Sequence, residues 1–331
     1  SAQSAQAHAS AAGNIAIGSS AMEYMNAFQT HNIAIGHEAM IGATTHADID
    51  YNVAIGSFAL DAIGNAGVGG CVAVGYDALS DVNNSAAYGT IAVGYRAGAN
   101  ITNGARNTIV GYQGMLDSSG AGDNTVIGYT ALEKGSTAER QTAMGSYALG
   151  AASATALTGN ENTAIGYKAL TKLQGSSLEN TAVGSLTLEN CTTGQKNTTL
   201  GYATLAQAVD TNNCVAVGRY AMGAGDVAGD GQVAVGMEAL AEVVAGTNNV
   251  ARGYQAGNVI VGGDDCTIVG HGADASGADG QGQIVIGSGV TGSGNGTFTF
   301  GVGATDTACT NGGTTWSNPS DRRIKKDIQD S

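Results

Sequence analysis

Several residue types that build ordinary globular cores are scarce in this chain. Its 331 residues include 1 Pro, 1 Trp and 4 Phe, and aromatic residues make up only 5% of the total. A large aromatic core is therefore excluded. The hydrophobic content of 43%, mostly Ala, Val, Ile and Leu, is nevertheless too high for a disordered chain. Together with 53 Gly residues, it favours a thin, repetitive core of small side chains.

Charge is also scarce and mostly acidic. Charged residues make up 12% of the chain, and the formal net charge is −14. Nucleic-acid binding is not expected, because phosphate contacts need a basic surface. No apolar run approaches the ~18 residues of a membrane span, so no membrane insertion is predicted. The His residues show no paired ligand spacing, and no metal or cofactor is expected.

A repeat dominates the sequence. The segment "NIAIGSSAM" at 14–22 returns as "NIAIGHEAM" at 32–40 and "NVAIGSFAL" at 52–60. Sixteen copies follow one another, and their anchor glycines are spaced by 17 to 21 residues. The anchors are Gly18, Gly36, Gly56, Gly75, Gly94, Gly111, Gly128, Gly145, Gly166, Gly184, Gly201, Gly218, Gly236, Gly253, Gly270 and Gly287. Such an array is typical of a solenoid.

Each column of the repeat, numbered from the anchor glycine, has a physical meaning. Position −3 is Val, Ile or Thr in all 16 copies, and position −1 is aliphatic or Met in 15, with Arg252 as the exception. These columns share one face of a strand, while position −2, Ala in 11 copies, lies on the other. Small residues indicate a close approach, so we expect the alanine face to pack against sister chains.

The other columns complete the coil. Position +3 is Ala in 12 copies, and position +4 is Leu or Met in 12. Each unit is therefore predicted to contain a short strand, a glycine corner, a second apolar segment and a polar loop. Because only the loop varies in length, we expect it to point outward.

Position −4 is Asn in nine copies, which predicts a hydrogen-bonded ladder along the stack. Cys71, Cys214 and Cys266 replace Asn in this column, so they are interpreted as ladder substitutes. Cys191 and Cys309 lie outside it. This distribution does not predict a disulfide framework or an oxidising compartment.

The unit is too small to bury its apolar strip alone, so the coils must stack. Sixteen coils at ~4.8 Å each predict a rod of ~75 Å. We predict an all-β, solenoid-like stack over residues 14–290 in a parallel homotrimer, whose cyclic symmetry leaves no strip exposed. Residues 1–13 are predicted to connect to a longer protein. Residues 291–319 are predicted to form a β transition or cap, with Trp316 covering the open end.

The repeat resembles two groups of proteins. The "N-x-A-I-G" core is similar to the head repeats of trimeric autotransporter adhesins, which form trimeric left-handed β-rolls, although the present units are longer. The "NTAIGYxAL" array more closely resembles repeats of phage tail fibres and related bacterial surface proteins. That resemblance implies a structural fibre of a virion tail. Its partners would be its own copies, other tail proteins and a host-surface glycan or protein.

Two alternatives stay open. The first is a bacterial trimeric adhesin on the cell surface. The second is a glycan-cleaving tailspike, which needs two carboxylates commonly ~5 to 10 Å apart. The acids are scattered through the variable loops, and no cleft-forming pair repeats, but stacking brings distant loops together. The shaft itself is not expected to be an enzyme.

The segment "SDRRIKKDI" at 320–328 carries a separate resemblance. It is similar to the opening of the intramolecular chaperone of phage fibres and endosialidases, a peptidase with a Ser–Lys dyad, and this domain would begin within residues 320–331. The resemblance implies that Ser320 is the nucleophile, Lys325 the base and Pro319–Ser320 the bond that is cut. From the residues alone, a solvated amphipathic helix is the other interpretation.

Two further columns are candidate surfaces. Tyrosines after the anchor glycines would either stack on sugars or, as we favour, pack between neighbouring coils or chains. They are Tyr76, Tyr95, Tyr112, Tyr129, Tyr167, Tyr202 and Tyr254. Six consecutive copies carry Thr at position −3, a pattern that suggests ice binding or an inward structural ladder, which we favour. They are Thr108, Thr125, Thr142, Thr163, Thr181 and Thr198.

Overall fold

The chain folds as a β-solenoid, which confirms the predicted all-β class. The computed structural model describes residues 13–24, 29–41, 49–63, 67–82, 88–150, 155–223, 225–303, 307–311 and 313. These residues form short strands, turns and irregular segments, and none of them is helical. The chain divides into two compact units, Ser1–Ser185 and Leu186–Ser331.

The first unit contains ten strands of three residues each. They are β1 (Ile15–Ile17), β2 (Ile33–Ile35), β3 (Val53–Ile55), β4 (Val72–Val74), β5 (Ile91–Val93), β6 (Thr108–Val110), β7 (Thr125–Ile127), β8 (Thr142–Met144), β9 (Thr163–Ile165) and β10 (Thr181–Val183). Consecutive strands pair in parallel, and each residue pairs with its counterpart in the next copy, as Thr108 does with Thr125. Equivalent positions of successive repeats therefore lie side by side in the sheet.

The second unit continues the same pattern. Its strands are β11 (Thr198–Leu200), β12 (Val215–Val217), β13 (Val233–Val235), β14 (Val250–Arg252), β15 (Thr267–Val269), β16 (Ile284–Ile286), β17 (Thr297–Phe300) and β18 (Thr307–Thr310). β11 to β17 pair in parallel, and β18 turns back antiparallel to β17. The coil of β17 is shorter than the others, since Gly301 follows 14 positions after Gly287.

The alanine column lies inside the coil that the chain itself forms. Ala54, Ala92 and Ala143 at position −2 are fully buried. The segment after the glycine corner covers them: a Cβ placed on Gly114, at position +3, would lie 3.1 Å from Cγ2 of Ile109 at position −2. The expectation that this face packs against sister chains is therefore wrong, because the same chain already buries it.

Positions −3 and −1 of β1 to β16 instead form what we call the outer sheet face. Its side chains are half-buried to exposed, and Ile15, Ile17 and Leu200 retain 49%, 55% and 50% of their surface. The six consecutive threonines lie on this face, so the expectation of an inward threonine ladder is also wrong. A two-residue alternation defines two faces of a strand without indicating which of them the rest of the coil covers.

The corners are built from left-handed backbone. The structure records 38 non-glycine residues with positive φ in its described part, and all but Tyr24 fall at positions −5, +2 or +4. Thr130 is the only β-branched residue among them. Branching at Cβ strongly disfavours this conformation, so the apolar column at +4 carries Leu or Met while the strands carry Val and Ile.

The predicted ladder at position −4 is confirmed. The side-chain oxygen of Asn32 accepts the backbone N–H of Asn52 at 2.9 Å and its side-chain amide at 3.2 Å. The cysteines occupy the same places: the backbone N–H of Cys71 donates to Asn52 Oδ1 at 2.8 Å, and that of Cys214 donates to Asn197 Oδ1 at 3.0 Å. All five cysteines are free thiols, and the three in this column, Cys71, Cys214 and Cys266, act as ladder substitutes.

Candidate functional site

The predicted cleavage site falls outside the described residues. This applies to Ser320, Lys325 and the Pro319–Ser320 bond, and also to Trp316. The Ser–Lys dyad therefore stays a prediction.

The tyrosine column forms a ring stack along the first unit. The rings of Tyr76, Tyr95, Tyr112 and Tyr129 follow one another at centroid distances of 5.3, 5.1 and 5.1 Å, with interplanar angles of 10° or less. Phe58 meets the first ring edge-on at 5.7 Å. Packing between neighbouring coils is therefore confirmed for these residues.

This stacking limits what the tyrosines offer to a ligand. A sugar stacks on the face of an aromatic ring, and the inner faces of the stack are covered by neighbouring rings. The ring edges and hydroxyl groups remain, since Tyr95 and Tyr112 are 43% and 42% exposed. Tyr167 meets Tyr147 edge-on at 6.4 Å, and Tyr254 stacks on a histidine at 5.3 Å. Sugar binding by the column stays a prediction, restricted to edges and hydroxyls.

Charged side chains pair across coils on another edge of the first unit. Arg106 donates two hydrogen bonds to Asp123, at 2.6 and 2.7 Å, and a third to the hydroxyl of Tyr88 at 2.6 Å. The hydrogen bond from Arg106 lowers the pKa of the Asp123 carboxyl. Arg140 donates to Glu161 at 2.9 Å. These pairs are exposed and contribute little free energy, but they favour the observed register.

Two carboxyl groups lie in less polar surroundings. Burial raises the pKa of Asp61 to about 6, and the neighbouring acids Asp77 and Asp81 add to this shift. Burial likewise raises the pKa of Asp274 to about 6, against the opposing effect of hydrogen bonds from the backbone N–H groups of Val259 and Ala275. Both carboxyl groups therefore bind a proton more tightly in the folded state than in the unfolded chain.

Asp274 predicts a pH dependence of stability. Its folded pKa lies above its unfolded value, so its ionisation destabilises the fold above about pH 6, and this penalty disappears as the pH falls toward 4. Asp274→Asn keeps an oxygen for both N–H groups and removes the charge. We expect the thermal midpoint of the wild type to rise more than that of the variant between pH 7.5 and pH 5. Exposed Asp279→Asn is the control, and equal midpoint changes in wild type and Asp274→Asn would contradict the assignment.

A groove that the sequence did not predict lies on the second unit. Its volume is about 360 Å³, within the range of small-molecule sites. Its polar lining consists of Tyr220, Glu238, Glu242, Gln255 and Asn258. These residues come from three successive coils, at positions +2, +5 and +6, so no contiguous motif marks them. The recurrence of Tyr, Glu and Gln at +2 was the available signal.

The comparisons with known proteins add no family. The chain matches no family model, and the search of curated proteins found no match. Among the described residues, no helix is long and apolar enough to cross a membrane. The same residues contain no group of three or more His, Cys, Asp or Glu side chains arranged to hold a metal ion.

Proposed function

We propose that the chain is the structural shaft of a phage tail fibre, a host-adhesion appendage that assembles as a parallel homotrimer. The supporting observation is the outer sheet face. The repeat places 31 Val, Ile, Leu, Met or Thr side chains in its 32 positions, and Arg252 is the only charged one. A regular, exposed and nearly uncharged surface of this kind indicates a protein interface.

The size of the face fits a second copy of the chain. Ten strands at ~4.8 Å, with two side-chain columns ~7 Å apart, give the first unit alone a strip of roughly 340 Å². A standard interface uses about 800 Å² per partner, so a single unit supplies roughly two-fifths of it. Cyclic closure of three chains would let each strip contact two neighbours without leaving a free strip.

A charge on this face is expected to dissociate the trimer. Ile127, which is 38% exposed, lies between Val110 and Met144 in its column. Ile127→Lys places three like charges in an apolar interface, and we expect monomers by light scattering at concentrations where the wild type is trimeric. Ser119→Lys, in an exposed loop, is the control and should remain trimeric. A monomeric wild type, or a trimeric Ile127→Lys variant, would contradict the assembly.

Where the protein is located would distinguish a tail fibre from a bacterial adhesin, two functions that the resemblance of the repeat leaves open. Immunogold microscopy is expected to label the tails of virions. Label on a bacterial surface would favour a trimeric adhesin instead. Release of short oligosaccharides from a host glycan would favour a glycan-cleaving tailspike.

Maturation of the fibre is the remaining part of the proposal. In the longer precursor, the chaperone-like segment would cut the chain between Pro319 and Ser320, with Lys325 accepting the proton of the attacking hydroxyl. Ser320→Ala and Lys325→Ala are each expected to leave an uncut trimer by mass spectrometry. Removing everything after Pro319 from the gene should give misfolded material, because near-identical coils can stack out of register. A Ser320→Ala product that still ends at Pro319 would exclude the dyad.

A further inference from the structure

The groove on the second unit combines an aromatic ring with polar groups that point to a ligand. The guanidinium of Arg219 stacks on the ring of Tyr220 at 4.4 Å, and Tyr202 meets that ring edge-on at 5.5 Å. These contacts fix the orientation of the ring at the groove. One internal hydrogen bond, from Gln255 Nε2 to Glu238 Oε2 at 2.8 Å, fixes an amide next to it.

Other polar groups of the groove are unused by the fold. Among the described residues, the side chains of Glu242 and Asn258 and the hydroxyl of Tyr220 form no hydrogen bond. The groove therefore offers a phenol, a carboxylate and an amide that lack partners, beside a second carboxylate and amide already held in place. Such a set of donors and acceptors matches the hydroxyl groups of a sugar.

A second groove shows the contrast. It measures about 240 Å³ and lies on the first unit around Tyr88, Arg106 and Asp123. Arg106 there already binds both oxygens of Asp123 and the hydroxyl of Tyr88, so its principal charged groups have their partners within the protein. The groove on the second unit is larger, and fewer of its polar side chains form hydrogen bonds within the protein.

We propose that the groove around Tyr220 binds a neutral or amino sugar unit of a surface polysaccharide. The ring would contribute apolar contact, while Glu242, Asn258 and Gln255 would bind hydroxyl or amino groups. Two glutamates, in a chain of net charge −14, disfavour acidic sugars. The inference deepens the proposed function, since it specifies the host-surface glycan that a fibre would contact.

The experiment uses the whole chain on an array of neutral, amino and acidic oligosaccharides. The probes are chito-oligosaccharides, their de-N-acetylated forms, galactans, mannans and oligogalacturonates. Neutral or amino probes should bind, and calorimetry with the best of them should show about tenfold weaker binding for Tyr220→Ala. Ala241→Leu should block binding by filling the groove. Leu116 already occupies the equivalent +5 position, so the coil accepts this side chain.

Tyr147→Ala is the matched control. Tyr147 occupies the same column as Tyr220 and also meets a tyrosine of the preceding coil edge-on, at 5.4 Å, but lies in the other unit. The Tyr147→Ala variant should bind the probe as tightly as the wild type does. Absence of any neutral or amino ligand, preference for oligogalacturonate, or unchanged binding by Tyr220→Ala would overturn the proposal. Light scattering and immunogold labelling test the trimeric fibre separately, so the two proposals can fail independently.

Discussion

Replacing Gly145 by alanine is expected to lower the free energy of unfolding by more than about 4 kcal/mol, the range reserved for severe backbone or core defects. Gly145 has a φ of +135°, which side-chain-bearing residues rarely adopt. Its missing Cβ would lie 2.5 Å from the carbonyl oxygen of Gly166 and 2.7 Å from the carbonyl carbon. Both atoms are backbone of the next coil, so the clash can be relieved only by separating the coils.

Gly175→Ala separates the cost of the backbone conformation from the cost of the clash with the next coil. Gly175 also has positive φ, +58°, but a Cβ placed there meets nothing within 4 Å. We expect it to cost about 1 to 2 kcal/mol from backbone conformation alone. Thermal and denaturant unfolding of both variants provide the measurement. Similar losses for Gly145→Ala and Gly175→Ala would show that close contact between the anchors does not limit stability.

Removing a rung of the asparagine ladder is the other large effect. Asn162 is fully buried. Its side-chain oxygen accepts the backbone and side-chain N–H groups of Asn180, both at 3.1 Å, and its amide donates to the carbonyl of Ser177 at 3.1 Å. Asn162→Ala removes these three hydrogen bonds from the buried ladder. At about 1 to 3 kcal/mol for each hydrogen bond lost by a buried group, we expect a loss of about 3 to 5 kcal/mol.

Asn103→Ala is the matched control for the ladder. Asn103 is exposed, and its side chain forms no hydrogen bond with another described residue. Its substitution should change stability by no more than about 0.5 kcal/mol. An Asn162→Ala variant within 1 kcal/mol of the wild type would mean that water replaces the missing amide, and that the ladder is not needed for stability.

Much of the solenoid follows from the columns of the repeat. β-branched residues two apart predict the strands, and the strands lie where the motif places them, from Ile15–Ile17 to Ile284–Ile286. Identical columns predict the in-register parallel pairing, because only that register aligns Asn with Asn and glycine with glycine. The role of Cys71 and Cys214 as ladder substitutes was likewise visible, since position alone determines their hydrogen-bond partners.

The site was much less predictable. The groove around Tyr220 joins residues up to 38 positions apart on three coils. Its volume depends on the small residues Gly223 and Ala241, and residues of this kind do not mark a binding site in a sequence. The tyrosine column was visible as a candidate sugar platform, but only the interplanar angles show that its inner rings cover one another.

The sequence by itself determined the fold class, the strand positions and the register, because these follow from local preferences repeated sixteen times. Only the tertiary structure decided which strand face is inside. The two-residue alternation of side chains along a strand places Ala143 and Ile127 on opposite faces of the sheet. It does not indicate which face the chain covers after Gly145. The left-handed residues at +2 and +4 turn that segment over the alanine face, and this leaves the threonines and aliphatic side chains outside.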